Sequence, residues 1–146
     1  MYLHIGLKGN NMAVIDYQYQ PVTHKQLEAC VRWCQNQFQL RDWDIDFSTD
    51  HNPPKKFMGD DGIMSCYGKS YIIAERLRAI VWVNADFIKR DNSNPYSVTI
   101  HEMIHVMQFS RDDSDPPELA TRILEPMLYR LYCYEHRLKI MKEALY

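Results

Sequence analysis

The chemistry-bearing stretch of this chain is Val98-Thr99-Ile100-His101-Glu102-Met103-Ile104-His105-Val106-Met107-Gln108-Phe109, an apolar segment holding an HExxH pattern. On a helix, residues i and i+4 share a face, so His101 and His105 aim both imidazoles at one point, as two ligands of a tetrahedral zinc ion must. Glu102 is rotated about 100° from His101. It flanks the metal instead of binding it, the position from which a carboxylate takes a proton from water. Ile100, Met103, Ile104 and Met107 recur at i, i+3, i+4 and i+7 and seat the helix against a core. Upstream, Asn94-Pro95 reads as an N-cap followed by proline at the first helical position, an independent signal that a helix starts there. HExxH arises by accident in on the order of one shuffled chain of this composition in a hundred, and the plain alternative is a helix with two surface histidines.

Such a site needs a third protein ligand, with a fourth position open if it is catalytic. Glu118 and Glu125 both lie on the next expected helix, on one face and about 10.5 Å apart along its axis, so only one reaches the metal. Glu118 is favoured, because a first-turn residue after a short connection returns toward the last turns of the motif helix. Its competing role is a capping box with Asp115. Glu125 stays open as the alternative, as do Asp112, Asp113, Asp115 and the remaining histidines, and Arg122 sits at pairing distance from both glutamates.

The elements that must position these residues follow from periodicity. Thr23-His24-Lys25-Gln26 has the form of a capping box, and Leu27, Cys30, Val31, Cys34 and Phe38 then recur at helical spacing, predicting a helix to about Leu40. Trp43, Ile45 and Phe47 alternate with Asp44 and Asp46, a half-buried strand with an acidic, solvated outer face. Residues 50–56 and 60–62 read as loops, and residues 63–74 as a hairpin or two short strands about Gly68-Lys69-Ser70. Residues 75–78 turn the chain, residues 79–83 are the strongest strand, and residues 84–92 read as a polar connection. After the motif, Asp115-Pro116-Pro117-Glu118 opens a helix whose apolar stripe is Leu119, Ile123, Met127 and Leu131, joined by Leu124 and Leu128, with a kink expected at Pro126. Residues 135–146 read as a further amphipathic helix, and residues 1–20 as a loose arm with a turn at Lys8-Gly9-Asn10-Asn11. Helix, strands, then helices argue for an α+β fold.

The 146 residues suit one domain, 1–146, with one core. A net charge of -2, with Lys and Arg scattered, provides no field for nucleic acid or an anionic membrane, and no apolar run is long enough for a membrane span. The N-terminus lacks a signal-peptide pattern, so a cytoplasmic protein is expected. Cys30, Cys34, Cys66 and Cys133 form no CxxC pair, and Cys30 and Cys34 fall on the apolar stripe of their helix, which makes them core residues.

His101-Glu102-Met103-Ile104-His105, followed closely by a helix opening at Glu118, resembles the small single-domain zincins of the gluzincin type, among them metallopeptidases encoded by phages and prophages. The resemblance covers roughly residues 23–131, including the Trp43-Asp44-Ile45 and Ala79-Ile80-Val81 strands. It implies a minimal zincin-like α+β domain: an N-terminal helix, a small mixed sheet of roughly three or four strands, the HExxH helix and C-terminal helices. It further implies one Zn²⁺ per chain held by His101, His105 and Glu118, with Glu102 as catalytic base. The chain departs from larger gluzincins in lacking a separate asparagine-glutamate ligand motif and a second lobe, and no third histidine follows His105 at metzincin spacing.

The expected activity is hydrolysis of a peptide or protein substrate, with residues 79–83 as the edge along which an extended peptide adds. A tyrosine or histidine near the cleft would serve the oxyanion, while Tyr67, Tyr71, Tyr129 and Tyr132 read as packing residues. The rival of a different class is a non-catalytic zinc-binding protein of zincin fold that acts as a protein-interaction factor. It predicts a closed coordination sphere, with His51, His136 or Cys66 as fourth ligand.

Overall fold

The computed structural model describes residues 7–8, 11–12, 21–111 and 118–141. The described elements are β1 (Leu7–Lys8), β2 (Asn11–Met12), α1 (His24–Gln37), β3 (Asp44–Ser48), β4 (Gly68–Ile73), β5 (Arg78–Val83), α2 (Ala85–Arg90), α3 (Pro95–Ser110) and α4 (Glu118–His136). This is a mixed α+β architecture. Strands β1 and β2 pair antiparallel, with Lys8 opposite Asn11. The rest of the expected N-terminal arm lies outside the described residues, as do Asp112, Asp113, Asp115 and residues 142–146.

The sheet order is β3-β5-β4, parallel between β3 and β5 and antiparallel between β5 and β4. The expectation that residues 79–83 form an edge is therefore corrected: β5 is the central strand. Its run of β-branched and aromatic residues is apolar on both faces, which suits a strand covered on both sides, and β3 and β4 pair with its two edges. One face of the sheet packs on α1 and α3 through a core that includes Ile45, Phe47, Val81, Ile100 and Ile104. On the other face the segment before β4 folds over Trp82, with Phe57 and Ile63 forming a smaller cluster and the Trp82 indole donating to the Asp50 carbonyl at 2.9 Å. Ile45 and Phe47 are buried and Asp44 and Asp46 exposed, as the alternation requires, and Asp46 pairs with Arg78 at 3.6 Å.

Three local expectations change. The hairpin expected within residues 63–74 is a 3-10 turn, Ile63–Ser65, followed by the single strand β4. The hairpin is instead β4–β5, joined by the 3-10 turn Ala74–Arg76 and the left-handed Leu77 at φ 50°. Gly68, which suggested a turn, is needed for close packing: a Cβ there would stand 2.9 Å from the Trp82 carbonyl oxygen. The expected polar connection at residues 84–92 contains α2, because the Asn84 side chain caps the Phe87 amide and Ile88 supplies a buried anchor. The helical tail expected at residues 135–146 ends at His136, where Arg137 turns left-handed at φ 54° and the Leu138 amide closes on the Cys133 carbonyl at 2.8 Å. Met141 then reaches the core, its amide donating to the Tyr129 hydroxyl at 2.8 Å.

Two of the three helix starts read from the sequence form as expected, while the Asp115 cap of the third lies outside the described residues. Thr23 and Gln26 make the reciprocal capping box of α1, which ends at Gln37 with Phe38 as its C-cap, slightly before Leu40. Asn94 caps the Tyr96 and Ser97 amides of α3, with Pro95 in its first turn. Cys30 and Cys34 are buried thiols in the core, with Cys133 from α4.

Helix α4 continues through Pro126, but the stripe expected to bury it is corrected in part: Leu119, Ile123 and Met127 are 69%, 55% and 61% exposed and Leu131 is exposed as well, while Leu124 and Leu128 pack against the core. The buried face is Thr121, Glu125, Tyr129, Tyr132 and Cys133. The helix is rotated so that Thr121 and Glu125 hydrogen-bond to Gln108 and His101 of α3, and leaving those partners apart would strand buried polar groups on α3. Accordingly, Ile123→Lys and Met127→Lys should each change unfolding free energy by at most about 0.5 kcal/mol. Tyr129→Ala, on the buried face, should cost about 3 kcal/mol or more by the same denaturant titration.

Candidate metal centre

Helix α3 is buried along most of its length and brings His101 and His105 side by side, their Nε2 atoms 3.1 Å apart. Each ring is fixed from behind. The Nδ1–H of His101 donates to Glu125 Oε1 at 3.0 Å, and the Nδ1–H of His105 donates to Gln108 Oε1 at 3.2 Å. Gln108 is itself held by α4, its Nε2 donating to Thr121 Oγ1 at 3.1 Å. His101 thus meets α4 at Glu125 while Gln108 meets it earlier, at Thr121, so the two helices run back past each other.

With both Nδ1 atoms placed as donors to Glu125 and Gln108, the two Nε2 atoms face one another, an arrangement that a cation shared between them would satisfy. Glu118 completes the group, with Oε1 3.4 Å from His101 Nε2 and Oε2 3.8 Å from His105 Nε2. One ligand atom from each of the three residues lies within 4.8 Å of the others, so the group could hold a metal ion. Donors at about 2.0–2.1 Å from a tetrahedral zinc ion stand roughly 3.3–3.4 Å from one another. The observed separations bracket that value, and the donor set of two imidazoles and one carboxylate suits the ion.

The electrostatics run the same way. Burial alone lowers the pKa of His101, but the hydrogen bond to Glu125 and the negative field of Glu102, Glu125 and Glu118 outweigh it and carry the pKa above its ordinary value. The acidic surroundings that favour a proton there favour a divalent cation more. Burial also raises the pKa of Glu102 above the usual carboxylate range, against the opposing pull of His101, the Ser70 hydroxyl and His105. Glu102 lies beside the ligand group but is not a member of it, and its Oε1 accepts from Ser70 Oγ at 2.8 Å. His101, Glu102, His105, Glu118, Ser70 and Phe109 line one cavity of about 590 Å³.

The other candidates fall elsewhere. Glu125, the alternative third ligand, stands behind His101 as the acceptor of its Nδ1–H, while Arg122 is exposed. His51 pairs with Asp86, and His136 bonds to the Tyr132 carbonyl at 2.9 Å and stacks on that ring. Cys66 lines the cavity, yet its thiol donates to the Ile63 carbonyl at 3.1 Å. Among the described residues none of these joins the ligand group. The Tyr67 hydroxyl donates to Asp91 at 3.0 Å.

Gln108, Thr121 and the supporting role of Glu125 were missed in the sequence, although the spacing carries them: Gln108 is three residues past His105, and Thr121 and Glu125 are three and seven past Glu118. Ser70 carries no such signal, because its place depends on the register of β4. The carboxylate behind His101 makes a direct prediction. Glu125→Ala should weaken the binding of a metal ion at this group by about 10–100-fold, read by competition with a chromophoric chelator, while His101 and His105 remain.

Among known proteins, no family model, no curated protein and no solved structure matches the chain.

Proposed function

We propose that this chain is a zinc-dependent peptidase on a minimal zincin-like scaffold, with His101, His105 and Glu118 as ligands and Glu102 as general base. The observation that carries the reading is the facing pair of Nε2 atoms at 3.1 Å, backed by Glu125 and Gln108, with a buried carboxylate in the same cavity. When bound, the ion supplies Lewis acidity, acidifying water and polarising a carbonyl. Glu102 accepts the proton of the attacking water on its carboxylate and delivers it to the leaving amine. Its burial supports this role, since a carboxylate with a raised pKa accepts the water's proton more readily and keeps it until it passes to the departing amine nitrogen.

Strand β4 is the sheet edge that lines the cavity, and an extended peptide would lie along it by backbone hydrogen bonds, the place earlier given to residues 79–83. The rival, a closed non-catalytic zinc site, needs a fourth protein ligand; of those expected for it, His51 pairs with Asp86 and His136 bonds to the Tyr132 carbonyl, which favours the catalytic reading. No helix among the described residues is long and apolar enough to cross a membrane. Four free thiols favour work in a reducing, cytoplasmic setting. The test is hydrolysis of a random peptide library, with activity expected to vanish under chelation and return on adding zinc. Cleavage that persists under exhaustive chelation, or none at all in zinc-loaded protein, would overturn the reading.

A further inference from the structure

We infer that Ser70 is the positioning residue of the general base, an inference that rests on the hydrolytic reading above. In β4 successive side chains alternate between faces, so Gly68, Ser70 and Ile72 share the face toward α3. Ile72 packs into the main core. At Gly68 the strand lies hard beneath the motif helix, since a Cβ there would meet Glu102 Cγ at 3.1 Å and Val98 Cγ1 at 3.2 Å, besides the Trp82 carbonyl. Ser70, the next residue on that face, therefore sits under the carboxylate itself. Its Oγ is 2.8 Å from Glu102 Oε1 and 3.2 Å from the Glu102 carbonyl oxygen.

A hydroxyl has one hydrogen, and the shorter, charge-assisted contact takes it. Among the described residues Ser70 is the only side chain that donates to this carboxylate. A glutamate has three rotatable bonds, and the hydroxyl fixes the last of them. One oxygen is thereby pinned and Oε2 is left to receive the proton. Gly68 provides the room and Ser70 the hydrogen bond, so the strand proposed to seat the substrate also orients the base.

The experiment compares the zinc-loaded parent with Ser70→Ala and Ser70→Thr by steady-state kinetics, zinc content and crystal structure. In Ser70→Ala, kcat should fall between about tenfold and a hundredfold, with KM within about twofold. Zinc should remain at about one ion per chain, because Ser70 is not a ligand, and the Glu102 carboxylate should turn away from its parental orientation. Ser70→Thr, which keeps the hydroxyl, should restore most of kcat. An unchanged kcat in Ser70→Ala, or a loss confined to KM, would overturn the inference. If zinc-loaded parent hydrolyses nothing, the hydrolytic reading fails by itself, and the crystal structures still decide this one: a Glu102 carboxylate unmoved in Ser70→Ala would refute it.

Discussion

Glu102→Gln should lower hydrolysis by at least about a hundredfold while the metal stays bound, because general-base catalysis is worth about 10²–10⁴ and the amide cannot take a proton. The substitution is close to a pure test of chemistry. Glutamine has the same length, its carbonyl oxygen still accepts from Ser70, and the charge it removes is one that burial disfavours. Glu102 is also outside the three-residue ligand group, so zinc content should match that of the parent. Peptide hydrolysis and elemental analysis on the same preparation check both halves. A variant as active as the parent would remove Glu102 from the mechanism; a variant without zinc would make Glu102 part of the site's structure.

The two histidines of the proposed metal centre should behave alike toward zinc and differently toward stability. Either His101→Ala or His105→Ala leaves two protein donors, and zinc affinity should drop by at least about a hundredfold. The difference comes from what stands behind each ring. His101 and Glu125 are both almost wholly buried at 3.0 Å, so removing the imidazole takes a partner from a buried carboxylate and should cost the metal-free protein about 3 kcal/mol or more. His105 is backed by the neutral Gln108, which keeps its bond to Thr121 when the ring is gone, and the cost there should be about 1–2 kcal/mol. Denaturant unfolding of both variants in chelator measures the difference. Equal losses would contradict the asymmetric second layer described above.

What the sequence disclosed was local, and what it concealed was register and rotation. The Thr23–Gln26 box, the Asn94-Pro95 start and the alternation of Ile45 and Phe47 each depend on residues within one turn or strand, and each forms as expected. HExxH is local in the same sense, since helical geometry alone brings His101 and His105 together. Glu118 was reachable by reasoning about a short return to the motif helix, and it lies against both histidines.

The apolar stripe of α4 misled because periodicity identifies an apolar face without saying whether a partner wants it. Hydrogen bonds from Thr121 and Glu125 to α3 chose the opposite face and left Leu119, Ile123 and Met127 outside. Strand β5 was assigned to an edge because strand order depends on contacts far apart in sequence. Gly68 looked like a turn residue because the sequence shows an absent side chain but not the helix that needs the space.

The measurement that tests the central claim most directly is the zinc content of the parent, purified without added metal and then titrated with zinc, beside Glu118→Ala. The account predicts about one tightly held zinc per chain in the parent. Glu118→Ala should bind it far more weakly, since it retains only the two imidazoles. A parent that takes up no zinc at any concentration, or a Glu118→Ala variant that binds it as tightly as the parent, would contradict the proposed metal centre.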